Sequence, residues 1–158
     1  MPFSQATVEA STPSNQDQSL EGERAALQTA LDAYVSTKYV SEDAAAGVFA
    51  RDGKLIAIIS GEKPNLRNFW SGKWTSSWNI SCSGGQATVT GEVKIHAHYF
   101  EDGNVQLQTT KPFTARTFPF GSEGEFAQQV ASYIIVSFYF RFIPLIICRH
   151  RKLTYKLG

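Results

Sequence analysis

Apolar residues recur near helical spacing at Leu20, Leu27, Leu31, Tyr34 and Val35, set among Ala, Glu and Gln, and after Lys38 the rhythm changes to alternation. The first pattern predicts one amphipathic helix from Glu21 to about Lys38, roughly five turns at 3.6 residues each, with its apolar stripe used for packing. The second predicts strands. "AGVFARDGKLIAIISG" reads as a hairpin on Asp52-Gly53, with strands Gly47 to Arg51 and Lys54 to Ser60. Leu55 to Ile59 runs apolar without a break, so that strand is expected to be covered on both faces. Trp74 to Cys82 and Gln86 to Phe100 follow as strands, broken at Ser83-Gly84-Gly85, and Val105 to Phe118 closes the set with an interruption at Pro112. Consecutive strands joined by short turns make an antiparallel meander, so the class is α+β: a five-stranded sheet preceded by one helix, with a helical or irregular hydrophobic tail.

The stretch "HYFEDGNVQL" sets the register of the last hairpin. Asp102-Gly103 suits a two-residue type I′ turn, because Gly accepts positive φ and Asp tolerates it better than most residues. With Glu101 and Asn104 flanking that turn, Phe100 would pair with Val105, His98 with Leu107 and His96 with Thr109. Tyr99, Ala97 and Ile95 would then point to the opposite face, and both faces would mix polar and apolar residues. Such a sheet needs helices or a partner on both sides, and its two edges need cover that a chain of this size hardly supplies.

The ends differ from the middle. Residues 1 to 19 are rich in Ser, Thr, Gln and Pro without apolar periodicity and read as a disordered arm. Residues 20 to 131 form the folded unit, and residues 132 to 158 an atypical hydrophobic and basic tail. At Ala131 to Val136 a helix-like "GEFAQQVAS" gives way to clustered Ile, Phe and Tyr, and Val136-Ser137 can be encoded by a splice-donor sequence, so the tail reads as translated intron. Pro144 is expected to break any helix through it. Tyr133 to Cys148 followed by Arg149, His150, Arg151 and Lys152 also has the form of a membrane anchor with a basic flank. Arg141 and Pro144 interrupt that run, which falls short of the roughly 20 residues a span requires, so membrane insertion is the alternative rather than the favoured reading.

Composition narrows the chemistry. A net charge of +1 gives no general case for nucleic-acid binding, although the acids gather near the start and the cations near the end. Cys82 and Cys148 are too few and too distant for a disulfide framework or a zinc site, and no apolar h-region opens the chain, which favours the cytosol. His96 and His98 share one strand face with Glu101 and Asp102 nearby, but no third ligand is identifiable and both imidazoles read as sheet residues. Trp70, Trp74 and Trp78 crowd together with Phe69, interleaved with Arg67 and Lys73. They read as core rather than as a base-stacking platform, with Ser71-Gly72 as a turn. No phosphate loop, nucleophile elbow or dinucleotide motif is present, so an enzyme is disfavoured.

"LRNFWSGKWTSSW" and "HAHYFEDGNVQL", with the strand between them, resemble the alpha subunits of F-actin capping protein. The resemblance rests on Asn68, Phe69, Trp70, Gly72, Trp74 and Trp78, and on the hairpin His98, Tyr99, Phe100, Glu101, Asp102, Gly103, Asn104 and Val105. It extends over roughly Leu20 to Ala131, and the departures at Ser71, Lys73 and Ala97 are mild. It implies a non-enzymatic protein without cofactor or metal, which joins its sheet to that of a capping protein beta subunit. The heterodimer would cap the barbed end of actin filaments in the cytoplasmic cytoskeleton. The family's long helix, basic segment and C-terminal tentacle are not matched here. Arg149, Arg151, Lys152 and Lys156 are the candidates for weak actin contacts, and capping by this chain is expected to be weak or absent.

Overall fold

The computed structural model describes residues 18–39, 43–65, 67, 69–101 and 103–152, with side chains of the last helix described as far as Ser137. The expected arm and the final basic residues, Arg149, Arg151, Lys152 and Lys156 among them, therefore lie outside the described side chains, as do Asn68 and Asp102. After a single 3-10 turn, Gln18–Leu20, helix α1 spans Glu21–Lys38. Leu27, Leu31 and Val35 form its buried stripe, and Glu21 and Glu23 in the first turn and Lys38 in the last complement the helix dipole.

Five strands follow: β1 Asp43–Arg51, β2 Lys54–Asn65, β3 Trp70–Ser83, β4 Gln86–Tyr99 and β5 Val105–Pro119. They pair antiparallel in sequence order, as the alternation predicts. Two turns are of the predicted kind. Asp52 and Gly53 take φ of 54° and 71°, and Gly84 and Gly85 take 56° and 72°, the double positive φ of type I′.

Elsewhere the structure corrects the reading. No turn forms at Ser71-Gly72, which pair with His98 and Ala97 inside the β3–β4 ladder. The chain reverses earlier, where Phe69 takes φ of 52°, so β2 runs on through Pro64 and β3 starts at Trp70. The β4–β5 connection is not a two-residue turn either. Tyr99 pairs with Val105, His98 with Gln106, Ala97 with Leu107 and His96 with Gln108, leaving Phe100 to Asn104 as the loop. The cause is tertiary: the Phe100 N–H donates to the Phe69 carbonyl at 2.8 Å, and their rings meet edge to face at 6.0 Å. Phe100 is thus drawn out of the hairpin ladder, and a one-residue shift sends every β5 side chain to the other face. The β5 strand runs through Pro112 without a break, with an irregularity opposite Val89 and Gly91 instead.

Both helices lie on one face of the sheet. Leu27, Leu31, Phe126, Val130 and Ile134 pack against Val48, Leu55, Ala57, Trp78, Ile80, Val89 and Val93 in one core. Cover on both faces is therefore not found among the described residues: Phe49, Ile56, Ile58, Lys73, Thr75 and Lys94 line the opposite face, and Phe49 is 48% exposed.

Helix α2 spans Glu123–Lys152. Its start is capped by side chains, with the Ser122 hydroxyl accepting from Glu125 N–H at 3.2 Å and the Glu125 carboxylate reaching back past the cap to accept from Gly121 N–H at 2.9 Å. Phe120 against Phe126, centroids 5.2 Å apart, acts as the apolar clasp beside it. The helix continues through Pro144, contrary to the expected break. Proline forfeits one rung of the ladder and crowds the preceding turn, and a helix of 30 residues retains the rungs on either side. Among the described residues, no helix is long and apolar enough to cross a membrane.

Candidate assembly interface

The tryptophans are fixed by glycines on neighbouring strands. Trp78 of β3 pairs with Gly91 of β4, and a Cβ on Gly91 would come within 2.3 Å of its ring. Trp74 pairs with Gly61 of β2, where a Cβ would lie 2.9 Å from the indole. An interior strand glycine marks a place where another group must approach closely, and here the group is an indole. Trp78 is fully buried between Phe113 and Tyr133, at 5.1 and 5.8 Å, and Trp74 meets Tyr39 at 5.4 Å. Both ring systems face the helices, so neither offers a free platform to a base. Sequence reasoning placed these tryptophans in the core but missed the glycines that seat them.

The two family motifs converge at one end of the sheet. Trp70 pairs with Tyr99, Phe69 meets Phe100, and the His98 ring lies 5.5 Å from Phe100. The Tyr99 hydroxyl donates to the Glu101 carboxylate beyond it. Gly103, Asn104 and Val105 continue the loop into β5. Phe69, Tyr99, Phe100, Val105 and Leu107 are all substantially exposed, which makes this end an apolar surface rather than a core. His96 is within 3.4 Å of Gln106, and His98 packs on an aromatic ring, so the histidines serve the sheet.

The two sheet edges differ. On β1, the Val48 N–H donates to Oε1 of Gln28 at 2.7 Å, and Nε2 of Gln28 donates to the Ala46 carbonyl at 3.2 Å. Arg24 adds a longer bond to the Val48 carbonyl, 3.4 Å, and is itself held by Glu21 at 2.6 Å. That contact lowers the Glu21 carboxyl below its ordinary range and raises the Arg24 guanidinium further. On β5, by contrast, only Phe113 and Phe118 are half-buried and the other residues are exposed. Arg116 lies over Phe118 and Tyr133 at 5.4 and 5.5 Å, tying β5 to α2. Neither Gln28 nor Arg24 was singled out from the sequence, where both look like solvated helix residues.

Cys82 lies on the covered face of β3, paired with Ala87. Burial, with the nearby Glu23 charge, pushes its thiol up to about 11, which makes it a packing residue rather than a nucleophile.

The sheet is thus closed at Ala46 and Val48 along one edge, has no strand beyond β5 at the other among the described residues, and is apolar at one end. Residues 2–137 match the family of the F-actin capping protein alpha subunit. The chain belongs to that family, and its role is non-enzymatic. It is similar to the F-actin-capping protein subunit alpha of Chaetomium thermophilum, 40% identical over 86 residues, or 54% of this chain and 31% of that protein. The subunit from Caenorhabditis elegans is 37% identical over 91 residues, 56% of this chain and 32% of its own, and that from Arabidopsis thaliana 33% over 120, with 66% and 38% covered. The chain thus spans about a third of the length of these relatives. A solved homodimeric actin capping protein alpha subunit from Plasmodium berghei shares the fold, with a TM-score of 0.70 and 24% identity over 92% of this chain and 61% of that one.

Proposed function

We propose that this chain is the sheet-bearing subunit of an actin-capping assembly, working in the cytoplasmic actin cytoskeleton through a beta-type partner. Residues 20–131 would form the assembly unit, residues 1–19 an arm, and residues 132–158 a tail. The observation that carries this reading is the exposed β5 edge, with β4 on one side and no strand on the other among the described residues, whose first half, Val105 to Thr110, is free of charge and proline ahead of Lys111 and Pro112. Strand addition there would satisfy its outward backbone groups and continue the antiparallel sheet into the partner. The apolar end formed by Phe69, Tyr99, Phe100, Val105 and Leu107 lies beside that edge and would supply side-chain contact area.

Family membership supports the partner's identity, since the relatives are alpha subunits of a capping protein. The test is co-expression with a capping protein beta subunit, followed by pull-down and hydrogen exchange. Co-purification with slowed exchange across Val105–Pro119 is the expected result. A complex that leaves those amides as fast as in the isolated chain, or no complex, removes the proposal. The Plasmodium berghei relative is described as homodimeric, so a homodimer through the same edge is the second reading, and a mass of two identical chains would select it.

A further inference from the structure

We propose that Gln28, steadied by Asp32 and assisted by Arg24, is a lock on the β1 edge, and that the occupant it excludes is the β5 strand of a second copy of this chain. The proposal rests on the reading of β5 as the pairing edge. Proteins usually protect an edge strand with a charge or proline in its middle, or with a bulge. β1 has none of these. Its sequence, Asp-Ala-Ala-Ala-Gly-Val-Phe-Ala-Arg, carries charge only at its two ends and no proline, and it pairs with β2 from Asp43↔Glu62 to Arg51↔Lys54 without a register shift. An uncharged, regular strand of this kind is an open template for strand addition.

What closes it is a side chain that imitates a peptide group. A carboxamide offers one acceptor and two donor hydrogens, and Gln28 uses them all. Its Oε1 accepts from Val48 N–H, and its Nε2 donates both to the Ala46 carbonyl and to the Asp32 carboxylate at 2.9 Å. The pattern admits only one orientation of the amide, because Asp32 and the Ala46 carbonyl can only accept and the Val48 N–H can only donate. Arg24 covers the outward carbonyl of Val48, while its pairing with Glu21 fixes its position. The Ala46 carbonyl and both outward groups of Val48, at the centre of the strand, are therefore occupied from α1.

The consequence is directional. β5 itself carries Lys111, Pro112 and the ladder irregularity in its second half, so Val105 to Thr110 is the stretch that could add to an open β1 of the next copy, a head-to-tail contact that does not close on itself and grows into filaments. With β1 locked, growth stops after one pairing at β5.

The test uses the full chain with Gln28→Leu and, separately, Gln28→Ala, each of which removes every bond that Gln28 makes. Amide exchange is read by NMR or fragmentation mass spectrometry, and mass by light scattering over a concentration series. Far-ultraviolet dichroism matching the parent is required of each variant, and Gln28→Ala carries the test should Gln28→Leu fail to fold. The expected results, in each variant, are Val48 exchange at least tenfold faster and a mass that climbs with concentration beyond a pair of chains. Adding whichever of Gln108→Pro and Thr109→Pro leaves folding intact is expected to stop that growth. Unchanged Val48 exchange or a parent-like mass in the variants that fold overturns the lock. Growth that persists with the β5 proline that leaves folding intact shows instead that the β5 reading is at fault while the lock holds.

Discussion

Gly91 lies directly beneath the indole of Trp78, across the β3–β4 ladder, where a Cβ would fall 2.3 Å from Cε3 of the ring. The indole cannot retreat, because Phe113 of β5 and Tyr133 of α2 close on it. Gly91→Ala should therefore overpack the core and cost about 1–3 kcal/mol, read as a lowered midpoint in thermal or urea unfolding. Gly91→Ala combined with Trp78→Leu should be less destabilised than the sum of the two single changes, since the clash disappears with the ring. Additive losses would show that Gly91 serves the backbone irregularity beside it rather than the tryptophan.

Cys82 offers a chemical test of the covered face. With its thiol pushed up from 9.0 to about 11, the reactive thiolate at pH 8 is depleted by about a hundredfold relative to an ordinary cysteine. In a Cys148→Ser background, alkylation should be slower than for a free thiol by about that factor in the folded chain and normal in denaturant. The sign for stability follows from the same shift. A thiol raised on folding favours the folded state fully below its unfolded value and loses that contribution as the pH climbs from about 9 to 11. Fast alkylation of the native chain would mean that β3 is not covered there.

The sequence reading succeeded where one short segment determines its own structure. Leu27, Leu31 and Val35 with acids before them and Lys38 behind mark α1, and Asp52-Gly53 can do little but turn between two apolar runs. It failed where distant residues decide. The β4–β5 register depends on Phe100 leaving its ladder to bond Phe69, a contact that no local pattern announces. Gln28 is similar: on a helix surface it reads as solvated, and its role appears only when Ala46 and Val48 arrive beside it. Gly61 and Gly91 did leave a trace, as glycines inside strand patterns, but the trace does not say which ring needs the space.

Pairing at β5 can be separated from folding of the sheet by proline. Successive residues of an edge strand point their N–H groups alternately toward the neighbouring strand and away from it. Of Gln108→Pro and Thr109→Pro, one should break the β4 ladder and lower stability, and the other should leave folding nearly intact while abolishing co-purification with a beta subunit. If both single variants keep the partner, the interface lies elsewhere than the β5 edge.

Filament binding should depend on a different part of the chain from partner binding. The sheet unit presents on β5 only Lys111 and Arg116 as charged groups, and Arg116 is engaged with Phe118 and Tyr133. The remaining concentrated cations, Arg149, Arg151, Lys152 and Lys156, lie after residue 137, where the match to the family ends. Attraction between such a cluster and an acidic filament end is long-ranged but screened beyond about 10 Å at 0.1 M salt. A complex of this chain with a beta subunit should therefore lose most of any inhibition of barbed-end elongation as salt is raised. Replacing the four cations by alanine should remove what remains and leave co-purification untouched, because the β5 edge is unaltered. Elongation assays decide the point: if the fourfold variant caps as well as its parent, the filament contact resides in the sheet unit itself, and the apolar end around Phe69 and Phe100 becomes the surface to mutate next.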